Sequence, residues 1–179
     1  MSFTKADSQL IVLFGASGDL TSRKLIPALI RLFDNDLISQ NTRILGVGRS
    51  LLSNTEFAVK VLLQNEHLAD DSRQAHYNKY ADRFLYFTLS KDYLDDYGAL
   101  AERVYEIDQT YDLGGRYLFY CSTPPNLYES IAERLKNSGL LDDQKGGTSF
   151  RKLVVEKPFG YSLETAKSIN EGLHRYFNE

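Results

Sequence analysis

Short apolar runs alternate along this chain with longer stretches in which apolar residues recur every three or four positions. That alternation predicts a parallel sheet whose strands are joined by helices. The first run, Gln9 to Phe14, is almost wholly apolar, as a strand covered on both faces should be. Thr21 to Phe33 places Leu25, Leu29, Leu32 and Phe33 at helical spacing, and Pro27 within it predicts an irregular helix entry. Four more strands are predicted over Thr42 to Val47, Phe84 to Leu89, Arg116 to Cys121 and Lys152 to Val155. Helices are predicted over Thr55 to Asn65, Tyr93 to Ile107, Leu127 to Lys136 and Leu163 to Tyr176. Asp142 to Ser149 reads as a polar loop, and Glu66 to Arg83 gives no decisive pattern. The expected architecture is a doubly wound, mainly parallel α/β sheet with helices on both faces, forming one domain over residues 1–179.

Composition adds bounds. The chain has 25% charged and 42% hydrophobic residues, in the range of globular domains, and a formal net charge of -3. No global charge draws it to nucleic acid or to an anionic membrane. No apolar run has the length of a bilayer span, and MSFTKADSQL lacks the apolar stretch of a secretory leader. A single cysteine, Cys121, cannot form an internal disulfide. Together these set the expectation of a cytoplasmic protein. Cys121 itself reads as a small core filler, with no histidine near it in sequence.

The chemistry is concentrated where strands end. Gly15-Ala16-Ser17-Gly18-Asp19-Leu20 follows the first strand and opens a helix. A sharp strand-to-helix turn with glycine lets backbone approach a phosphate, and a helix start offers unpaired amides with partial positive charge. Thr21 and Ser22 add hydroxyls, and Arg23 and Lys24 add cations. The glycines lie three apart, a departure from the G-x-G-x-x-G form. Asp19 sits awkwardly beside a phosphate and reads as a helix cap or an internal hydrogen-bonding group.

After the second strand comes Gly48-Arg49-Ser50, with no acidic residue at the tip. An acidic residue there binds a ribose 2′-hydroxyl, whereas an arginine accommodates a 2′-phosphate, so Arg49 predicts NADP over NAD. In a Rossmann-type sheet of this kind ligands lie beyond the carboxyl ends of the strands. Ser90 and Lys91 after the third strand are therefore candidates for the adenosine half. After the fourth strand, Cys121 to Tyr128 reads CSTPPNLY; Tyr128 is either a coenzyme contact or a core residue. After the fifth, Glu156-Lys157-Pro158-Phe159-Gly160 places a lysine at a strand tip as a point charge for a phosphate or hydroxyl.

These pieces, GASGDLTSRKLIPAL at Gly15 to Leu29, LGVGRS at Leu45 to Ser50, LFYCSTPPNLYE at Leu118 to Glu129 and VVEKPFG at Val154 to Gly160, resemble glucose-6-phosphate dehydrogenase in order and spacing. The resemblance implies oxidation of glucose 6-phosphate to the 6-phosphoglucono-lactone with reduction of NADP, in the oxidative pentose phosphate pathway. It implies that Gly15 to Ser22 form the coenzyme phosphate turn, that Arg49 takes the 2′-phosphate, and that Tyr128 lines the coenzyme pocket. It also implies that Lys157 contacts both coenzyme and sugar, and that Pro158 is a cis-prone proline. The family's next motif, Arg-Ile-Asp-His-Tyr-Leu-Gly-Lys-Glu, and its histidine base are expected beyond Glu179. His67, His76 and His174 match neither and read as surface residues. The expectation is an amino-terminal coenzyme half that binds NADP without turning over, from a full-length homo-oligomer. Two alternatives stay open. One is a non-catalytic NADP-binding module. The other is a sugar oxidoreductase of the glucose–fructose oxidoreductase type, which shares the Glu-Lys-Pro loop.

Overall fold

The computed structural model describes residues 4–89, 95–142, 147–157 and 160–177. Five strands, β1 (Leu10–Phe14), β2 (Arg43–Gly48), β3 (Phe84–Thr88), β4 (Arg116–Cys121) and β5 (Phe150–Val155), form one sheet in the order β3-β2-β1-β4-β5. Every pairing is parallel. β1 therefore lies at the centre, and the chain reverses its winding between β1 and β4, the point where such sheets open a crevice.

Alternation along β1 divides the interior into two cores. Leu10, Val12 and Phe14 face a cluster built with α4 (Tyr97–Tyr111) and α5 (Tyr128–Asn137). Ile11 and Leu13 face the other, built with α1 (Ile26–Asp34), α2 (Asn54–Ala58) and α3 (Asp70–Tyr80). Helices thus cover both faces, as the apolar character of β1 requires. A sixth helix, α6 (Leu163–His174), packs against α5.

The helix entry after β1 is irregular. Thr21–Leu25 form a widened turn in which the Ile26 amide reaches back five residues to the Thr21 carbonyl. Pro27 follows at once. Proline lacks an amide and its ring crowds the carbonyl four residues back, here that of Arg23, so widening relieves the clash. The segment predicted as one helix over Thr55 to Asn65 starts at Asn54, capped by Ser53 and Glu56 reciprocally, and loosens into another wide turn over Val59–Leu63.

Glu66 to Arg83, undecided from sequence, contains α3. Only Tyr80 of this helix is buried, so it carries almost no apolar stripe. It is tied down by polar chemistry instead. The Tyr80 hydroxyl donates to Asp34 Oδ1 at 2.6 Å, His76 Nε2 lies 3.1 Å from Asp34 Oδ2, and Lys79 Nζ lies 3.4 Å from Oδ1. Partial burial works against ionising Asp34, but Tyr80, Lys79 and His76 outweigh it and hold the carboxyl below its usual range. An Asp34→Asn chain is expected to lose about 1 kcal/mol at pH 7, the net worth of a typical hydrogen bond. A depressed native value contributes stability above the unfolded value of about 4 and loses it as pH falls further. The deficit should accordingly shrink between pH 5 and about 3, which urea melts of both proteins would show.

Candidate functional site: the carboxyl edge of the sheet

Strand register levels the carboxyl ends. Phe14 pairs with Val47 on one side and Cys121 on the other, and Cys121 pairs with Val155. Gly15, Gly48, Ser122 and Glu156 are therefore the first residues past one row. From the tip of β2 to that of β5 there are three strand spacings, roughly 14 Å at about 4.8 Å each.

Gly15 makes the first turn at φ +81°. A Cβ placed there would lie 2.3 Å from the Ser122 carbonyl oxygen, so the position combines a left-handed backbone with contact against β4. The Gly15 and Ala16 amides donate to the Val47 carbonyl at 3.0 and 3.2 Å, and the Gly18 amide to the Gly15 carbonyl at 2.9 Å. The Ser17, Asp19 and Leu20 amides find no acceptor among the described residues. They stand at the helix start, where unpaired donors and the dipole favour an anion. This is a cradle of the shape and charge that a pyrophosphate needs.

The hydroxyls next in sequence turn inward. Thr21 is wholly buried and its Oγ1 donates to the Gly15 carbonyl at 3.0 Å. Ser22 Oγ donates to Asn65 Oδ1 at 3.3 Å, and the Asn65 side-chain amide donates back to the Ser22 carbonyl at 3.0 Å. Thr21 and Ser22 thus brace the turn, and their hydroxyls are committed to it. Asn65, 2% exposed, is a supporting residue that sequence reasoning missed, because its contact spans 43 positions. Asp19 lies 3.6 Å from Arg23 across one helical turn. Both side chains are well exposed, so this pair contributes little to stability.

The tip of β2 stands beside the cradle. A Cβ on Gly48 would lie 2.4 Å from the Tyr86 hydroxyl and 3.5 Å from Ser17 Oγ. Glycine here lets β2 run close under the turn. The next residues are held by β3: the Leu89 amide donates to the Gly48 carbonyl at 2.9 Å and Thr88 Oγ1 to the Ser50 carbonyl at 3.1 Å. Arg49 and Ser50 are exposed at this edge, on the same side of the molecule as the Gly15 turn. Ser90, Lys91 and Pro158 lie outside the described residues.

Past β4 and β5 the tyrosines resolve differently. Tyr128 is 1% exposed and its hydroxyl donates to the Glu156 carbonyl at 3.3 Å, so its ring is part of the core beneath the crevice. Lys157 is exposed at the tip of β5. Cys121 is fully buried, and that burial pushes its thiol up to about 12. The thiolate is the reactive form, so the native chain should take up an aromatic disulfide reagent at pH 8 only through unfolding. Rapid stoichiometric release of thiolate from that reagent without denaturant would contradict this burial.

Among the described residues no group of three or more histidine, cysteine or acidic side chains is placed to hold a metal ion, and no helix is long and apolar enough to cross a membrane. His76 joins α3 to the far end of α1, at the amino edge of the sheet, away from the crevice. His174 closes α6, which starts at the carboxyl edge. His67 lies beside the helix entry, its amide donating to Asn65 Oδ1, the atom that also accepts from Ser22 Oγ.

A central parallel strand, a glycine turn into a helix start and a cation at the neighbouring strand tip define a Rossmann-type dinucleotide-binding domain. Residues 12–179 match the family described as "Glucose-6-phosphate dehydrogenase, NAD binding domain", and the chain belongs to that family. It is 39% identical over 178 residues to a glucose-6-phosphate 1-dehydrogenase of Aggregatibacter actinomycetemcomitans, covering 98% of this chain and 35% of that protein. It is 36% identical over 172 residues to the enzyme of that name from Treponema pallidum (strain Nichols), covering 95% of this chain and 33% of that one. A solved glucose-6-phosphate dehydrogenase in complex with its substrate glucose-6-phosphate superposes with a TM-score of 0.82 at 28% identity, over 99% of this chain and 36% of the other. The Mycobacterium avium enzyme gives 0.70 at 29% identity, over 96% of this chain and 34% of the other. The chain spans about a third of the length of the relatives it matches.

Proposed function

We propose that this chain is the coenzyme-binding part of an NADP-dependent glucose-6-phosphate dehydrogenase, which oxidises glucose 6-phosphate to the 6-phosphoglucono-lactone. The observation that carries the reading is the pairing of one anion cradle with one cation. The Ser17, Asp19 and Leu20 amides lack acceptors among the described residues, and Arg49 follows Gly48, which packs beside Ser17. A coenzyme with a pyrophosphate and a 2′-phosphate fits that donor set. The amides would take the pyrophosphate, and the guanidinium fork of Arg49, with Ser50, the 2′-phosphate. Gly15 and Gly48 keep the approach open, because a side chain at either would meet backbone or a buried hydroxyl.

The bound coenzyme supplies a hydride acceptor. This chain's residues bind and orient. Lys157, two residues beyond β5, would hold an anionic or hydroxyl oxygen of the sugar and a coenzyme oxygen as a point charge. Removal of the C1 hydroxyl proton needs a base, and none of His67, His76 and His174 lies in the family's histidine motif. The base would come from the remainder of the whole protein, so residues 1–179 would bind NADP with negligible turnover. The same reading carries a cytoplasmic setting and a homo-oligomeric whole protein.

The test compares the whole protein with this chain, following NADP reduction by absorbance with and without glucose 6-phosphate. Sugar-dependent reduction by the whole protein, with binding but no reduction by the chain, supports the reading. A chain that turns over at the whole protein's rate, or a whole protein indifferent to the sugar phosphate, overturns it.

A further inference from the structure

Two tyrosine hydroxyls from opposite faces of the sheet end on one residue, Glu156. Tyr120, on β4, belongs to the core under α1, α2 and α3, and its hydroxyl makes a short hydrogen bond to Glu156 Oε1. Tyr128, on α5, belongs to the other core and donates to the Glu156 backbone carbonyl at 3.3 Å. Glu156 is the first residue past β5 and is only partly exposed, and Lys157 follows it. Burial, and then the Glu156 carboxylate, raises the Tyr120 hydroxyl above its usual range; burial raises that of Tyr128. Both therefore stay protonated donors through neutral pH.

Closing a strand end needs no carboxylate. A glutamate next to a lysine at an anion-binding edge is a liability, because an unrestrained carboxylate draws the ammonium onto itself and repels the anionic ligand. We propose that Tyr120 is a positioning residue that turns the Glu156 carboxylate back against the sheet, leaving the charge of Lys157 for an anionic ligand at the crevice. Tyr128 holds the same residue by its carbonyl, so backbone and side chain are fixed together. The proposal deepens the substrate-side role given to Lys157 and rests on that reading for its biological consequence.

The measurement is competitive acetylation of Lys157 with acetic anhydride on this chain across pH 6–10, read by mass spectrometry, for the unaltered chain, Tyr120→Phe, and Tyr120→Phe with Glu156→Gln. Phenylalanine keeps the buried ring, so a folded variant is expected, checked by circular dichroism. The released carboxylate should pair with Lys157 and slow its acetylation about threefold at pH 8, the size of an exposed ion pair. The second substitution should restore the original rate, which a packing defect at position 120 would not allow. An unchanged rate in Tyr120→Phe, or a double variant as slow as the single, overturns the proposal. In the whole protein the same pair should show lowered and then recovered kcat/KM for glucose 6-phosphate, with kcat less affected. A whole protein that ignores that sugar refutes the functional reading, while the acetylation result still decides the role of Tyr120.

Discussion

Gly15→Ala is expected to be the most damaging single methyl group that can be added to this chain. The residue sits at φ +81°, and the new Cβ would lie 2.3 Å from the Ser122 carbonyl oxygen. A left-handed backbone costs a non-glycine residue about 1–2 kcal/mol, and overpacking against backbone adds about 1–3 kcal/mol. Neither term can be relieved by a rotamer, because the obstacle is main chain, that of Ser122 just past β4. Thermal melts should show Tm lowered by roughly 10 °C, at about 2–4 °C per kcal/mol for a chain of this size. The turn must also move to accommodate the methyl, taking the Ser17, Asp19 and Leu20 amides with it. Coenzyme titration of the still-folded variant in the cold should show affinity lost by more than about tenfold. A variant with unchanged Tm and unchanged binding would mean that the turn is not built as described.

Arg49→Ala should act oppositely, sparing the fold and altering selectivity. Arg49 is exposed, so stability should change by less than about 0.5 kcal/mol. A guanidinium on a phosphate dianion is a charge-assisted contact worth about 1.5–3 kcal/mol, which is roughly 10- to 150-fold in affinity. NADP should therefore bind about 30-fold more weakly, taking about 2 kcal/mol as the centre of that range. NAD, lacking the 2′-phosphate, should bind within about twofold of its original affinity, since only the pyrophosphate contacts are shared. Calorimetric titration with both coenzymes checks this, and an equal loss for the two would remove Arg49 from the 2′-phosphate.

Much of this architecture is legible in the sequence, for a physical reason. Strands buried on both faces must be apolar, and all five predicted strands stand within two residues of their observed bounds. The glycine turn is legible because its left-handed backbone and close approach leave few residue types that can serve there. The third predicted helix, Tyr93 to Ile107, corresponds to α4, which starts at Tyr97 and runs on to Tyr111, while Tyr93 and Leu94 lie outside the described residues. α3 was missed because it buries one tyrosine and is held by Asp34, from 36 to 46 positions away. Long separations in sequence, of 43, 36 and 28 positions, likewise hid Asn65 behind Ser22 and both tyrosines behind Glu156. Side-chain commitments of this kind depend on which elements become neighbours, and periodicity carries no information about that. Thr21 and Ser22 illustrate it: their type suits a phosphate turn, yet the fold spends both hydroxyls on the turn's own support.

In the proposed function, one ligand is held between the amides of the first turn and the guanidinium at the end of β2. An amide-resolved NMR titration of the 15N-labelled chain with NADP tests it most directly. Saturable shifts concentrated at residues 15–22 and 48–50, with the Arg49 guanidinium signal among them, are the predicted result. Shifts centred instead on the amino edge around Asp34 and His76, or an unaltered spectrum at millimolar NADP, would contradict it.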